Sequence, residues 1–367
     1  MNVADSARLK AVLESAGYQE IRELGFGDSD IRGLGEADLI LINTCVVRQN
    51  AEDRAAWFIQ SLKGQKKQNP NLKIGLCGCM VPEPERNLKK QFPHVDFFIP
   101  PNSPDVLKQY LDQNPKSESR NTKQTVKIRN SNLEIVSDLE FRASSFVSIM
   151  TGCDNYCSYC VVPYVRGREF SRPMDEILEE IRELGDRGIR EMTLLGQNVN
   201  SYKFNLAILL RRIHSLISRY PDARISFMTS HPKDMTDEII GTVAELPYVA
   251  KDFHLPVQSG DDEILKKMNR GYTVEYFLDR VAKIRSLMPQ ARISTDLMVG
   301  FPGETAEQFA NSLKLLEKIR FTQVNMFAYS ARPQTAAAKM PDQLSEEVKQ
   351  ERLQKLIETN RLLLVSR

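Results

Sequence analysis

From about residue 142 onward the chain alternates short apolar runs with amphipathic stretches, and this alternation limits the fold more than any other feature. The apolar runs occupy 145–150, 191–195, 224–228, 249–255, 292–299 and 322–327. Helical spacing falls between them, at 174–187, 206–219, 236–246, 274–286 and 306–318. Two parallel strands need a long crossover, usually a helix, so this rhythm predicts βα units in a parallel sheet or barrel. Six such strands fall short of the eight that close a full barrel. A charged helix over 345–364 follows.

The first ~105 residues read as a separate, smaller α/β unit. Leu9, Val12 and Leu13 lie on one side of a helix over 7–15. Leu39-Ile40-Leu41-Ile42 is a continuous apolar run, as expected of a strand covered on both faces. A helix over 52–64 and strands at 72–76 and 95–99 complete the unit. Residues 106–140 are expected as a linker, because the stretch 112–132 is polar and reads as a linker or loose edge hairpin. Its Lys116, Arg120, Lys123, Lys127 and Arg129 could meet phosphate or could merely be solvated.

The expected fold class is therefore α/β, with a small parallel-sheet domain over 1–105, the linker, a barrel over 141–335 and a terminal helix over 336–367. Hydrophobic residues make up 41% and charged residues 27%, which suits a folded globular chain. No apolar run approaches the ~18 residues of a membrane span, and the start lacks the basic and apolar regions of a signal peptide. Six clustered cysteines do not form a secreted disulfide framework, so a reduced, cytoplasmic setting is expected. The net charge of +2 neither demands nor excludes nucleic acid, because local patches decide that binding.

Chemistry concentrates after the apolar runs. Cys153, Cys157 and Cys160 form a C-x3-C-x2-C loop directly after the first run of the barrel. A protein-held [4Fe–4S] cluster normally takes four cysteines, so three on one loop would leave one iron open for chemistry. Three such cysteines could also bind zinc with a distant fourth ligand, or be buried thiols. The later runs end in Gly196-Gln197-Asn198-Val199-Asn200-Ser201-Tyr202, Thr229-Ser230-His231-Pro232, Pro256-Val257-Gln258-Ser259-Gly260, Gly300-Phe301-Pro302-Gly303-Glu304-Thr305 and Tyr329-Ser330-Ala331-Arg332-Pro333. Polar residues at the C-terminal ends of barrel strands converge on one mouth, although Gly, Pro and Asn also mark ordinary loops. Gly196, Gln197, Asn198, Gln258, Ser259 and Asp296 are candidate cofactor or substrate contacts. His231 and His254 sit at strand ends and could line the mouth, while His94 and His214 read as loop and helix-surface residues.

The chain resembles the methylthiotransferases of the radical S-adenosylmethionine superfamily. The resemblance is carried by the cysteine loop, by 157–169 with Ser171-Arg172-Pro173, by 194–200, by His254-Leu255-Pro256-Val257-Gln258-Ser259-Gly260 and by 299–305. The Gly-Gln-Asn-Val-Asn run points to the branch that modifies N6-dimethylallyladenosine in tRNA. The resemblance implies a partial (β/α)6 barrel and S-adenosylmethionine bound to a [4Fe–4S] cluster on Cys153, Cys157 and Cys160, with Tyr159 near the cofactor adenine. It implies methylthiolation at C2 of adenosine 37, beside the tRNA anticodon, with sulfur from a second [4Fe–4S] cluster in the first domain. A flavodoxin- or ferredoxin-like reductant and a monomer acting away from membranes are expected. Other targets are an alternative, as is a cluster-bearing RNA binder without sulfur insertion.

Cys45 and Cys79 match two of the family's three ligands for the second cluster. The third precedes the family equivalent of Met1, so a misassigned start or a fragment is expected. Cys77 could stand in for it or be a buried strand-end thiol. The family's small RNA-binding β-barrel would follow Arg367. Arg166, Arg168, Arg172 and Arg332 are candidate RNA contacts or surface ion-pair partners.

Overall fold

The computed structural model describes residues 2–20, 37–45, 49–82, 87–101, 103–114, 125–130 and 144–365. The chain divides into two compact units, one of Met1–Glu140 with Tyr164–Arg166, the other of Phe141–Pro163 with Gly167–Arg367.

The first unit holds an all-parallel five-stranded sheet in the order β1-β5-β2-β3-β4. The strands are β1 (Gln19–Glu20), β2 (Leu39–Thr44), β3 (Lys73–Gly78), β4 (Phe97–Ile99) and β5 (Thr125–Asn130). Every residue of β2 is buried, in keeping with its unbroken apolar run. The helix Asn2–Ser15 places Leu9 and Leu13 in one cluster with Leu39, Leu41, Phe97 and Leu107. The helix Gln49–Gln68 supplies the crossover between β2 and β3.

The stretch expected as a linker is more structured than its composition implied. Its start belongs to the helix Pro104–Gln113, and β5 lies between β1 and β2, pairing Leu39 with Val126 and Leu41 with Ile128. The sequence Thr-Val-Lys-Ile-Arg-Asn hides the strand because only two of its six residues are aliphatic. Its backbone groups are nevertheless satisfied by ladders on both sides. Lys116, Arg120 and Lys123 lie outside the described residues.

The second unit has two parallel three-stranded sheets, ordered β10-β9-β6 and β11-β12-β13. Their strands are β6 (Ser144–Ser148), β9 (Glu191–Leu195), β10 (Arg224–Phe227), β11 (Asp252–His254), β12 (Arg292–Val299) and β13 (Gln323–Ala328). A bridge between Ile225 and Val249 links the two sheets into one six-membered series. The helices Met174–Asp186, Leu206–Ile217, Asp237–Glu245, Val274–Leu287 and Ala306–Ile319 separate these strands in sequence. Side-chain caps start several of them. Thr236, Thr273 and Thr305 accept from backbone N–H groups three residues on, and Gln308 completes a capping box with Thr305.

The run expected as one strand over 145–150 breaks at Ile149. Beyond the break, β7 (Met150–Thr151) pairs antiparallel with β8 (Phe170–Ser171). The chain between β7 and β8 is the cysteine loop, so the break turns that loop into a closed excursion. The final helix, Glu346–Val365, is held by Arg352, whose guanidinium donates to the fully buried Glu304 carboxylate at 2.6 Å.

Candidate functional site

The cysteine loop is pinned along its length. Gly152 has φ +77, and an added Cβ would collide with the carbonyl of Arg168, so the loop opens where only glycine fits. Cys153 N–H donates to the Gly167 carbonyl at 3.2 Å. Asp154 accepts from the Arg168 guanidinium at 2.7 Å and from Glu169 N–H at 3.2 Å. Tyr156 sits at φ 46, and its carbonyl and that of Asn155 each accept from the Asn269 amide at 3.0 Å. Ser158 donates through its backbone to Met268 O at 3.0 Å and through its hydroxyl to Lys267 O at 2.8 Å.

The sulfurs have distinct surroundings. Cys157 is buried, whereas Cys153 and Cys160 are half-buried as whole residues. Burial, reinforced by the neighbouring Cys157, pushes the Cys160 thiol up to about 12. Burial also raises Cys153, partly opposed by hydrogen bonding from Asn155. The buried Arg270 donates to Cys157 Sγ at 3.3 Å, to Tyr159 Oη at 3.4 Å and to the Pro256 carbonyl at 2.7 Å. Burial opposes the Arg270 charge, but the ionisable Tyr159, Tyr272 and Cys157 around it hold it protonated well above the ordinary range. Tyr159 is itself raised well above the usual phenol, chiefly by burial.

This donor set suits an iron–sulfur cluster: three thiols on one loop, with a fixed cation against one sulfur. A cluster takes thiolates, so its binding would release protons from the raised thiols. Among the described residues no three His, Cys, Asp or Glu side chains are grouped as a metal-ion site.

The other candidates divide. An added Cβ at Gly196 would meet Met150 Cγ at 2.5 Å and Val199 Cγ1 at 3.1 Å, so the Met150 side chain would have to shift to admit it. The Asn198 amide is engaged at both ends, donating to Asp234 at 2.6 Å and accepting from His231 N–H at 3.0 Å, and so it staples two loops. Gln197 Oε1 is buried without a hydrogen-bond partner. Gln258 has φ 73 and bridges to β12 through its backbone, donating to Asp296 O at 2.8 Å and accepting from Met298 N–H at 2.9 Å. Ser259 is fully buried and accepts from Asp261 N–H at 3.2 Å. Asp296 accepts from Asn325 at 2.9 Å and lies 3.6 Å from His254, whose other nitrogen meets Ser294 at 3.0 Å. His231 is buried and held neutral, with burial and then the charges of Arg270 and Lys233 bringing it down to about 2.

Arg270, Asn269 and Tyr272 were not singled out from sequence. They lie in the turn after the helix Asp262–Lys267, away from the strand ends. Gly271, at φ +67, was a turn signal, but nothing in the pattern announced a buried arginine.

Within the first unit, Cys45 and Cys79 sit just past the ends of β2 and β3, and both are buried. Cys79 N–H donates to Thr44 O at 3.1 Å. Burial raises the Cys79 thiol, Arg166 opposes that, and Cys45 is near enough to act on it electrostatically. Cys77 belongs to an apolar cluster with Leu39 and Phe97, donates to Ile42 O at 3.3 Å and is raised well above an ordinary thiol by burial. That is the environment of a structural thiol.

The four arginines also divide. Arg166 pairs with Asp5 at 2.9 Å, both buried. Arg172 is held by Glu180 and the Ser148 carbonyl at 2.6 Å each, and Arg332 is buried. Arg168 alone of the four is largely exposed, at 77%.

An open series of six parallel strands with a three-cysteine loop at its C-terminal end defines the radical S-adenosylmethionine class. Residues 147–316 match the model of the Radical SAM superfamily, and residues 1–100 match that of the Uncharacterized protein family UPF0004. The fold resembles a radical S-adenosylmethionine methyltransferase from Kitasatospora setae, solved with cobalamin and a [4Fe–4S] cluster. Its TM-score is 0.66 at 15% identity, covering 91% of this chain and 74% of that one. It also resembles a cobalamin-dependent S-adenosylmethionine radical enzyme, OxsB, with TM-score 0.59 at 13% identity, covering 96% of this chain and 53% of that one.

Sequence relatives are much nearer. A tRNA-2-methylthio-N(6)-dimethylallyladenosine synthase from Acetivibrio thermocellus is 42% identical over 98% of this chain and 74% of its own length. One from Pelotomaculum thermopropionicum is 43% identical over 97% and 79%. The chain belongs to the family of tRNA-2-methylthio-N(6)-dimethylallyladenosine synthases.

Proposed function

We propose that the chain methylthiolates C2 of N6-dimethylallyladenosine at position 37 of tRNA. The observation that carries this reading is the pinned three-cysteine loop at the strand ends of a barrel, in a chain 42% identical over 98% of its length to a synthase of that name. A purine C2–H bond is unactivated, so no side-chain acid or base can replace it directly. A [4Fe–4S] cluster with S-adenosylmethionine, when bound, would supply the one-electron chemistry able to remove that hydrogen. A second [4Fe–4S] cluster supplies the sulfur, and a further S-adenosylmethionine the methyl group.

Cys153, Cys157 and Cys160 would hold the first cluster, and three cysteines, where a fully protein-held cluster takes four, would leave room for S-adenosylmethionine. Arg270 fixes Cys157 and places positive charge against its sulfur. Tyr159, Gln197, Gln258 and Ser259 orient the cofactor, and Asp296 faces the substrate. Cys45 and Cys79 serve the second cluster, with Arg166 beside Cys79, and Cys77 is structural. Residues 1–105 form the sulfur-donating domain and 141–335 the radical domain. The chain works in the cytoplasm as a monomer on the anticodon loop, with electrons from a flavodoxin- or ferredoxin-like protein. No helix among the described residues is long and apolar enough to cross a membrane.

The test is anaerobic turnover of the reconstituted chain with prenylated tRNA, S-adenosylmethionine, sulfide and a reductant, followed by nucleoside mass spectrometry. A methylthio product on the prenylated adenosine is expected. 5′-Deoxyadenosine release without any modified nucleoside would overturn the reading.

A further inference from the structure

The barrel strands have a second face that the cysteine loop does not use. Val147, Leu194, Ile225, Phe253, Ile293 and Val324 belong to the main core. Alternation along each strand sends their neighbours to the opposite, inner face. Phe146 pairs with Thr193, and Thr193 with Ser226, whose hydroxyl lies 2.8 Å from that of Thr193. Met228 follows two residues after Ser226 and stays on that face. On the other half of the series, His254 pairs with Ser294, and Asp296 with Asn325.

The two halves of this face differ in chemistry. Phe146 is 38% exposed and Met228 46% exposed, although both are large and apolar. In a closed barrel this face is packed solid. Apolar side chains left open on a concave face suit an apolar group from a ligand. The β11–β13 half instead carries the linked His254, Ser294, Asp296 and Asn325. The His254 and Asp296 side chains keep 19% and 20% exposure. A carboxylate accepts an exocyclic N–H, and imidazole, hydroxyl and amide groups can donate to ring nitrogens.

We propose that this inner face seats the N6-prenylated purine itself, with Phe146 and Met228 receiving the prenyl group and Asp296, Asn325, His254 and Ser294 receiving the polar edge of the base. The assignment rests on the proposed function and adds the residues that select the substrate. An unprenylated adenine would engage the polar half only and leave Phe146 and Met228 facing water. A single methylene in an apolar pocket discriminates by about 10- to 200-fold, so five prenyl carbons should give at least ~100-fold preference in kcat/KM.

The experiment compares prenylated and unprenylated tRNA as substrates for the reconstituted chain and for F146A/M228A, M228Q, M228L and D296N. The double variant should lose about tenfold of the preference, through KM for prenylated tRNA rather than kcat. Met228→Leu should keep the preference, and Asp296→Asn should slow both substrates alike. Independently, 13C-methyl-methionine NMR of the wild-type chain with N6-dimethylallyladenosine should shift the Met228 methyl signal, while adenosine should leave it in place. If the double variant fails to fold, Met228→Gln and the wild-type spectrum still decide. If the wild type methylthiolates tRNA, yet the preference survives Met228→Gln within twofold or the Met228 signal does not respond, the seat is elsewhere. If the wild type modifies no tRNA but the nucleoside still shifts Met228, the proposed function fails and the seat remains.

Discussion

The two groups of cysteines solve opposite problems. Cys153, Cys157 and Cys160 lie on a loop whose backbone is tied to Gly167, Met268 and Asn269, with two of the three half-exposed. Cys45, Cys77 and Cys79 lie at the ends of buried strands, and all three are buried. A scaffold-held loop keeps thiols reachable by a small cofactor. Strand ends in a sheet core shield them, and Cys77 packs there among Leu39 and Phe97. Spacing in sequence therefore separates a ligand from a core residue only when the surrounding backbone is known.

The comparison would break most visibly through the barrel loop. Replacing Cys153, Cys157 and Cys160 together with Ala should abolish 5′-deoxyadenosine release, a loss of at least ~10³-fold, while far-UV circular dichroism stays unchanged. Retained release would move the radical chemistry elsewhere.

The first unit sharpens it next. Cys79→Ala should lose about four irons per chain, the content of one [4Fe–4S] cluster, and all methylthiolation, yet keep uncoupled cleavage of S-adenosylmethionine. Cys77→Ala should retain its iron and instead lose about 1–2 kcal/mol of stability, as a small core truncation does. Equal iron loss in both variants would make Cys77 a ligand.

Arg270 provides a third, smaller effect. Arg270→Ala removes the donor to Cys157, Tyr159 and the Pro256 carbonyl. The Pro256 carbonyl keeps a 3.3 Å bond from the Tyr272 hydroxyl, so losing the charged donor should cost about 1–3 kcal/mol in urea unfolding. The same variant should lower the reduction potential of the loop-held cluster, since a cation no longer faces one sulfur. An unchanged potential would confine Arg270 to a structural role.

The smallest effect concerns pH. His231 is neutral in the folded chain, brought down to about 2 by burial, whereas an unfolded histidine titrates near 6.5. Below about pH 6.5 the unfolded state therefore binds the extra proton. Stability should fall by up to ~1.4 kcal/mol per pH unit as acid increases toward the folded value. His231→Gln should flatten this acid limb in thermal melts between pH 6.5 and 4.5. An unchanged slope would mean that His231 does not stay neutral.

Much of this was legible in the sequence. The six barrel strands and their helices follow from hydrophobic periodicity, because each strand is buried against helices and each helix shows one apolar face. The cysteine loop was legible because its three cysteines are local in sequence. Strand β5 was not, since a polar Thr-Val-Lys-Ile-Arg-Asn run gains its place only from pairing with both neighbours. Arg270 was not, because its partners Cys157 and Pro256 lie 113 and 14 residues away. Gly196 and Asn198 read as cofactor contacts from sequence, and the packing of Gly196 against Met150 and the bonds of Asn198 to Asp234 and His231 were not legible there, since glycine and asparagine serve tight turns and ligands alike.

The most direct test of the central claim is low-temperature EPR of the anaerobically reconstituted, reduced chain carrying Cys45→Ala and Cys79→Ala, recorded with and without S-adenosylmethionine. A single [4Fe–4S]+ signal whose g-values move when S-adenosylmethionine is added is the expected result. A signal indifferent to S-adenosylmethionine, or one that persists when Cys153, Cys157 and Cys160 are also replaced, would contradict it.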